Sequence, residues 1–486
     1  MLRKGLNCVA LTLLIVVVVV VFRTIQFVPA ESNIEKQLVT NSNPSAAVER
    51  LSQAIQIPTI SWSTEAATEV EAFNRLNQHF EQSFPAVYAN LTVSKVLEHG
   101  RLIEWRGADP SLDPLLLLAH TDVVPIANQA AWSVEPFSGE VKDGYLYGRG
   151  TIDDKSSALA ILEALERLTS EGFIPTRTIY ISLGHDEEIG GLAAQAVAKQ
   201  FADKGVRFAA VIDEGGLVIS KAMPGIEVPL AMVGIAEKGY LTLKLTSKGE
   251  GGHSSMPPKS SAVGSLATAL SRIESSPFPA NLDSPTSDIF DTVAPHFPLL
   301  ERTLFANLWL TEPLLIAELE KQKASNALIR TTTALTVFNG GTKDNVLPHS
   351  ATAMVNFRIL PGETRETVTA RVTELVDNPE ISVERSQFGN DPSSVSDPKA
   401  AAFEWISRNV AKSLSGDVIV SPNLVAGATD ARHFDHLSDN VYRFLPFRVD
   451  KDDLSRFHGV DERISTESYI EGIGFYYNLM KDSGNI

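Results

Sequence analysis

Three apolar runs in this chain each end in a cluster of acids and histidine. Leu115 to Ala119 leads into His120-Thr121-Asp122, Thr178 to Leu183 into Gly184-His185-Asp186-Glu187-Glu188, and Ala209 to Ile212 into Asp213-Glu214-Gly215-Gly216. An unbroken aliphatic run such as Leu115 to Ala119 has no solvent face, which is the habit of strands in parallel sheets covered by helices. Between the first two runs, Ala158, Ile161, Leu162, Leu165 and Leu168 recur at helical spacing, so Lys155 to Ser170 is predicted to be a helix. This alternation of strand and helix extends from Ala46 to about Ala210 and reads as α/β architecture. Ligands of such sheets bind beyond the carboxyl ends of the strands, so the three polar clusters are expected on one edge. So many anions close together repel one another unless a divalent cation sits among them.

Composition narrows which cation chemistry is open. The chain has 486 residues with one cysteine, Cys8, so a Cys-based zinc site and an internal disulfide are both excluded. Histidine and carboxylate without thiolate suit zinc, manganese or cobalt. The length predicts two to three domains, and 44% apolar with 21% charged residues is globular composition. A formal charge of −17 argues against a nucleic-acid partner, which needs clustered Lys and Arg.

The amino terminus is set apart. Eighteen uncharged residues separate Lys4 from Arg23, with valine at every position from Val16 to Val21. As a helix they would span about 27 Å, close to the ~30 Å hydrocarbon core of a bilayer. Arg3 and Lys4 precede the run, as in a signal peptide or signal anchor. The small-x-small signal is poor, Val28-Pro29-Ala30 coming nearest, which favours an uncleaved anchor over a cleaved signal. The positive flank would stay in the cytoplasm and the remainder would be exported. Residues 1–30 are read as this segment, and the polar stretch 31–45 as a tether.

From about Lys238 the pattern changes. Tyr240 to Leu245 alternates, Ala262 to Ile273 is helical, and Ala351, Ala353, Val355, Phe357 and Ile359 alternate again. A helix from Arg365 to Val376 and a strand near Ile381 to Val383 follow. This order suggests a ferredoxin-like α+β domain over 238–390, inserted between two parts of a catalytic domain at 46–237 and 391–486. Pro277 to Pro298, rich in Pro, Ser and Asp, reads as a loop insertion within it.

Two further elements are ambiguous by themselves. In Gly148-Arg149-Gly150-Thr151-Ile152-Asp153-Asp154-Lys155 the paired aspartates could simply cap a helix. The histidine of Phe457-His458-Gly459-Val460-Asp461-Glu462 could be structural. Together with the strand-end clusters, however, the set His120-x-Asp122, Asp153, Glu187-Glu188, Asp213 and His458 resembles the dizinc exopeptidases. That family includes acetylornithine deacetylase, succinyl-diaminopimelate desuccinylase, aminoacylase, carnosinase and carboxypeptidase S. Trp132-Ser133-Val134-Glu135-Pro136-Phe137 and Gly148-Arg149-Gly150 most resemble its carboxypeptidase S and N-acyl-amino-acid hydrolase branch.

The resemblance implies a mostly parallel mixed sheet flanked by helices, with the inserted domain as a lid. It implies two zinc ions per chain, with manganese or cobalt as alternatives. Asp153 would bridge them, His120 and Asp213 completing one site and Glu188 and His458 the other. Asp122 would orient His120, and Glu187 would be the general base. The peptide after the bridging aspartate is often cis in the family, which points to Asp153-Asp154. For the substrate, the resemblance implies His253 of Gly251-Gly252-His253-Ser254-Ser255, Asn345 of the Lys343 to Pro348 loop, and Arg358 as the carboxylate fork. Gly427 and Thr429 belong to Gly427-Ala428-Thr429-Asp430-Ala431-Arg432, which departs from the family pattern at Ala428 and Ala431. His433 and His436 are read as structural, and His185 as either structural or a support for a neighbouring ligand, not as a ligand itself.

The expected reaction is hydrolysis of an amide next to a free carboxylate, in short peptides or N-acyl amino acids. Two rivals stay open at this level: an inactive relative that binds peptides or amino-acid conjugates, and a one-metal aminopeptidase that needs a free amine. Intact ligands with Glu187 weigh against the first and Arg358 against the second. Homodimerisation through the lid is a further implication, with Ala351 to Ile359 a candidate edge strand.

Overall fold

The computed structural model describes residues 2–29, 34–62 and 69–486. Ala30 of the weak cleavage signal and the start of the expected tether, residues 31–33, lie outside them. A ten-stranded mixed sheet forms the body. Its centre is Ile179–Gly184, Leu115–His120 and Ala210–Asp213, mutually parallel, with Val441–Arg443 parallel to the last. Leu230–Glu237 pairs in parallel with Ile419–Val425, while Thr92–Val96 and Gly100–Trp105 add an antiparallel edge.

The Leu115–His120 strand is buried at every position. Leu115 and Leu117 enter the core beneath the helices Pro44–Ile55, Lys155–Ser170, Ala401–Ser413 and Thr466–Lys481. Leu116 and Leu118 enter a second core against Leu192–Asp203. Helices on both faces therefore account for the unbroken aliphatic run. Because the central strands run parallel, His120 lies level with Gly184, and the polar clusters collect beyond one edge.

A second, four-stranded sheet follows Leu230–Glu237 almost without a break. Its order is Thr332–Gly340, Ser350–Ile359, Gly239–Lys248, Ile381–Asn390, all antiparallel. Leu241, Leu243, Leu245, Val355 and Phe357 pack beneath Ala262–Ser275 and Arg365–Val376 in a core of their own. Ser350–Ile359 is paired on both sides, so the edges of this sheet are Thr332–Gly340 and Ile381–Asn390 and not the strand expected from the sequence.

One other expectation is corrected. The segment read as a loop, Pro277 to Pro298, holds the helix Thr286–Val293, and three further helices follow it, Leu299–Ala306, Leu308–Leu319 and Lys323–Ile329. Ile289 and Val293, one turn apart, pack against Leu230, Ile419 and Leu424 of the large sheet, which a reading by Pro and Ser content misses. The described part of the tether, from residue 34, packs on the body. Lys36 Nζ donates to the carbonyls of Ala411 (2.7 Å), Leu414 (3.0 Å) and Gly416 (2.5 Å), and Asn478 Nδ2 donates to the Gln37 carbonyl (2.8 Å).

The amino-terminal helix runs Leu2–Gln26. Its stretch Leu6–Gln26 is long and apolar enough to cross a membrane, and only 6% of its most apolar window is buried in the body.

Candidate active site

The strand ends, the turn before Lys155–Ser170 and the loop before the last helix converge on one carboxylate. Asp153 Oδ1 lies 2.8 Å from His120 Nε2, and Asp153 Oδ2 lies 3.0 Å from His458 Nε2. His458 Nε2 is also 3.3 Å from Glu188 Oε1, and His120 Nε2 is 3.5 Å from Glu214 Oε1. The peptide bond Asp153-Asp154 is cis.

Each of these side chains is held by a partner from another element. Asp122, fully buried, has Oδ1 3.2 Å from His120 Nδ1 and accepts the backbone N–H groups of Glu187 and Glu188, both at 3.2 Å. It thus fixes the imidazole of one strand end to the acidic turn of another. Asp154 Oδ2 accepts the His120 N–H (3.2 Å). Glu462, fully buried, accepts the N–H groups of Gly150 (3.1 Å), Ile152 (2.8 Å) and Asp153 (3.2 Å) on Oε1. Its Oε2 accepts from Arg149 Nη1 (2.6 Å), whose Nη2 donates to the Gly459 carbonyl (3.1 Å). This clasp joins the Asp153 turn to the His458 loop.

Asp213 is not brought to the cluster. It ends its strand, and its Oδ2 accepts the Ala431 N–H at 2.7 Å. With Asp213 held by the 429–431 loop, the next residue, Glu214, reaches His120 instead. The adjacent acidic pair was visible in the sequence, but spacing alone could not choose between neighbours.

The electrostatics are those of crowded, desolvated anions. Burial, with the Asp153 charge, pushes Glu214 up to about 8. Burial and the Asp430 carboxylate hold Glu187 well above the usual range, and burial with Asp153 raises Glu188. His458 is raised to about 10 by its hydrogen bond to Asp153 and by the Glu188 carboxylate 3.3 Å away. Glu188 Oε1 is buried without a hydrogen-bond partner. His120, Asp153 and Glu188 offer ligand atoms within 4.8 Å of one another, as do His120, Glu187 and Glu214. Two groups of one imidazole and two carboxylates that share His120, one of them holding the unsatisfied Glu188 oxygen, fit divalent metal better than they fit protons.

The expected substrate residues fall into two groups. Arg358 lies on the strand face opposite Val355 and Phe357, stacks on Tyr240 (4.7 Å) and donates to the Ala426 carbonyl (3.3 Å). It therefore meets the loop bearing Gly427 and Thr429. Thr429 is anchored by Glu237, which accepts its N–H (3.1 Å) and its hydroxyl (2.9 Å), and Arg443 Nε completes that buried network (2.7 Å). Gly427 is exposed, with open space where a Cβ would be. A cleft beside Glu187 and Glu188 is walled by Phe388, Ala428 and Arg432. His253 and Asn345 sit together on an exposed two-stranded ribbon, Gly252–His253 with Val346–Leu347, and the Ser254 N–H donates to the Asn345 carbonyl (3.3 Å). Among the described residues neither side chain hydrogen-bonds to the His120 cluster. His185 lies edge-on against the stacked pair of Phe73 and His99, at 5.9 and 5.6 Å.

The model of "Peptidase family M20/M25/M40" matches residues 116–482, a span holding all the residues of this cluster. The chain belongs to this family. It is 39% identical over 442 residues to "N-fatty-acyl-amino acid synthase/hydrolase PM20D1" of Homo sapiens, covering 90% of this chain and 88% of that protein. It is 36% identical over 480 residues to "Probable carboxypeptidase S-like 2" of Dictyostelium discoideum, covering 96% and 92%. Within the M20 family these relatives place it in the carboxypeptidase S and N-acyl-amino-acid hydrolase branch. The solved structure of the M20 metallo-carboxypeptidase Sso-CP2 from Sulfolobus solfataricus superposes with TM-score 0.63 at 19% identity, over 90% of this chain and 98% of that one. The large mixed sheet and its helices are thus the zinc-exopeptidase fold, and the M20 chain described here is a metal-dependent hydrolase.

Proposed function

We propose that this protein hydrolyses the amide bond of N-acyl amino acids, or the carboxyl-terminal bond of short peptides, at a two-metal centre. The observation that carries the reading is the position of Asp153, whose two carboxylate oxygens face His120 and His458 from opposite sides. That is the placement required of a bridging carboxylate. His120 and Glu214 would complete one metal site, and Glu188 and His458 the other. Two zinc ions, or manganese or cobalt, would polarise the scissile carbonyl and bring a shared water towards neutral pKa.

Glu187 takes the proton from the attacking water and returns it to the leaving nitrogen. Its burial suits that work, because desolvation and the Asp430 carboxylate hold it above the usual range and so make it a stronger base than an exposed glutamate. Asp122 keeps His120 in one tautomer and holds Glu187 in place through the backbone. Arg358, beside the Gly427 to Thr429 loop, receives the substrate carboxylate with its planar fork of donors. The exposed His253 and Asn345 would reach substrate by closure of the small domain or from a second copy paired through Thr332–Gly340. The amino-terminal helix would anchor the enzyme in a membrane with the catalytic body exported.

The test is release of free amino acid from a panel of N-acyl amino acids and blocked dipeptides. The full chain is assayed in detergent, stripped of metal and then restored, beside Glu187→Gln. Activity that returns with metal and is absent in Glu187→Gln supports the reading. Two bound metals without turnover on any member of the panel would favour a binding protein.

A further inference from the structure

The helical insertion carries an apolar surface that the hydrolase reading leaves unused. Leu299 and Leu300 open one helix and are 63% and 74% exposed, while Trp309, Leu310 and Leu314 lie along the next at 54%, 50% and 65%. Two adjacent helices displaying large apolar side chains to solvent need a non-aqueous neighbour.

The amino-terminal helix identifies that neighbour. Its last turn is clasped to the junction of the two helices: Arg23 Nε donates to the Ala306 carbonyl (2.9 Å), and Asn307 Nδ2 donates to Thr24 Oγ1 (3.3 Å) and to the Val20 carbonyl (3.4 Å). Arg23 is also the first charge after the uncharged stretch Gly5 to Phe22. If that stretch spans a bilayer, Arg23 marks its water boundary, because a charge at a span's end seeks the headgroups. The same Arg23 touches Ala306, so the helix junction sits at headgroup depth. Its exposed leucines and tryptophan then lie where interfacial helices bury their apolar face. Glu301 and Glu312 share these helices, and the whole chain carries −17, so attachment would be apolar and would not depend on anionic lipid.

We infer that Leu299–Ala306 and Leu308–Leu319 form a membrane-docking surface, which lies in the headgroup layer beside the amino-terminal span and holds the catalytic body against the bilayer. The inference rests on the reading of the amino-terminal helix as a membrane span. It would place the active-site cleft close to the source of amphiphilic acyl substrates.

The test uses the full chain in phosphatidylcholine vesicles. Cys8 is the single cysteine, so Cys8→Ser gives a background in which Val17→Cys reports on the span and Leu310→Cys on the docking surface. Both sites are exposed, so a label at either should leave the fold intact. Each carries an environment-sensitive fluorophore, read with lipid-borne and aqueous quenchers. Quenching of both labels by lipid, with protection from iodide, is the expected result. Lipid quenching at position 17 with iodide quenching at position 310 overturns the docking surface and leaves the anchor standing. Iodide quenching at both sinks the anchor reading and this inference with it. Protection at position 310 from both quenchers means that protein covers the helices, which also overturns the inference.

Discussion

Glu462 and Arg149 form an ion pair of 2.6 Å in which both side chains are almost wholly buried, and Glu462 spends its other oxygen on three backbone N–H groups ending at Asp153. The pair ties together two segments more than three hundred positions apart in sequence, one carrying Asp153 and the other His458. Removing one partner of a buried pair leaves an uncompensated charge, at a cost of about 3–5 kcal/mol. Glu462→Leu should show the larger loss in urea denaturation, because it orphans Arg149 and the three N–H groups together. Arg149→Met should cost less, since Glu462 keeps its backbone donors. Metal content should fall in Glu462→Leu even where the protein remains folded. Equal losses in the two variants would contradict this ordering.

The choice between Asp213 and Glu214 can be made by counting metals. Glu214→Gln should reduce bound metal from two ions to one, measured by elemental analysis of the purified full chain. Asp213→Asn keeps a side-chain oxygen to accept the Ala431 N–H and should still bind two. If Asp213→Asn loses a metal and Glu214→Gln does not, the ligand set implied by the resemblance is restored.

That choice also shows where reading the sequence stops. The strand ends, the helix from Lys155 and the convergence of His120, Asp153, Glu188 and His458 were legible, because an aliphatic run buried on both faces forces a parallel sheet and so fixes one ligand edge. Which of two adjacent acids turns inward depends on the Ala431 N–H, which arrives from more than two hundred residues away. The insertion was misread for a related reason. Its proline and serine content suggested a loop, while Ile289 and Val293, one turn apart, were recruited by the large sheet. The clasp of Glu462 on Asp153 likewise has no local signature, although Glu462 stands in the same motif as His458.

Glu187 and Glu188 should separate cleanly in kinetics. Glu187→Gln removes the proton acceptor without removing a ligand, so kcat should fall by about 10²–10⁴ with two metals retained. Glu188→Gln should lose metal first and activity as a consequence, with partial rescue at high metal concentration. A Glu187→Gln enzyme that turns over normally would remove the general-base assignment.

Arg358 should act on binding more than on chemistry. Arg358→Ala should raise KM about 10–100-fold for substrates with a free carboxylate, the loss of a charge-assisted fork, with a smaller effect on kcat. Arg358→Lys should recover only part of this, because an ammonium cannot offer two parallel donors. Amidated substrates, already lacking the carboxylate, should discriminate little between wild type and Arg358→Ala.

In the metal-free protein Glu214 and His458 should each lose stabilising effect as pH rises, in two overlapping windows. Glu214 titrates near 8 when folded and near 4.5 when unfolded, so the folded state holds the extra proton between these values and loses stability as pH rises through them. His458 is raised from 6.5 to about 10 by Asp153 and Glu188. Its contribution is complete below 6.5 and disappears as pH climbs through 10. The part of the thermal midpoint owed to these two groups should therefore decline from about pH 5 to pH 10, against a gain above about pH 7 from Lys155 and Lys238, which burial lowers to about 7 and about 8. Glu214→Gln should flatten the lower part of that slope and His458→Gln the upper part. Restoring metal should remove most of the slope, since cations replace the protons that the buried carboxylates otherwise require. Glu214→Gln and His458→Gln variants whose midpoints keep the wild-type dependence on pH would mean that these groups are not crowded together in solution.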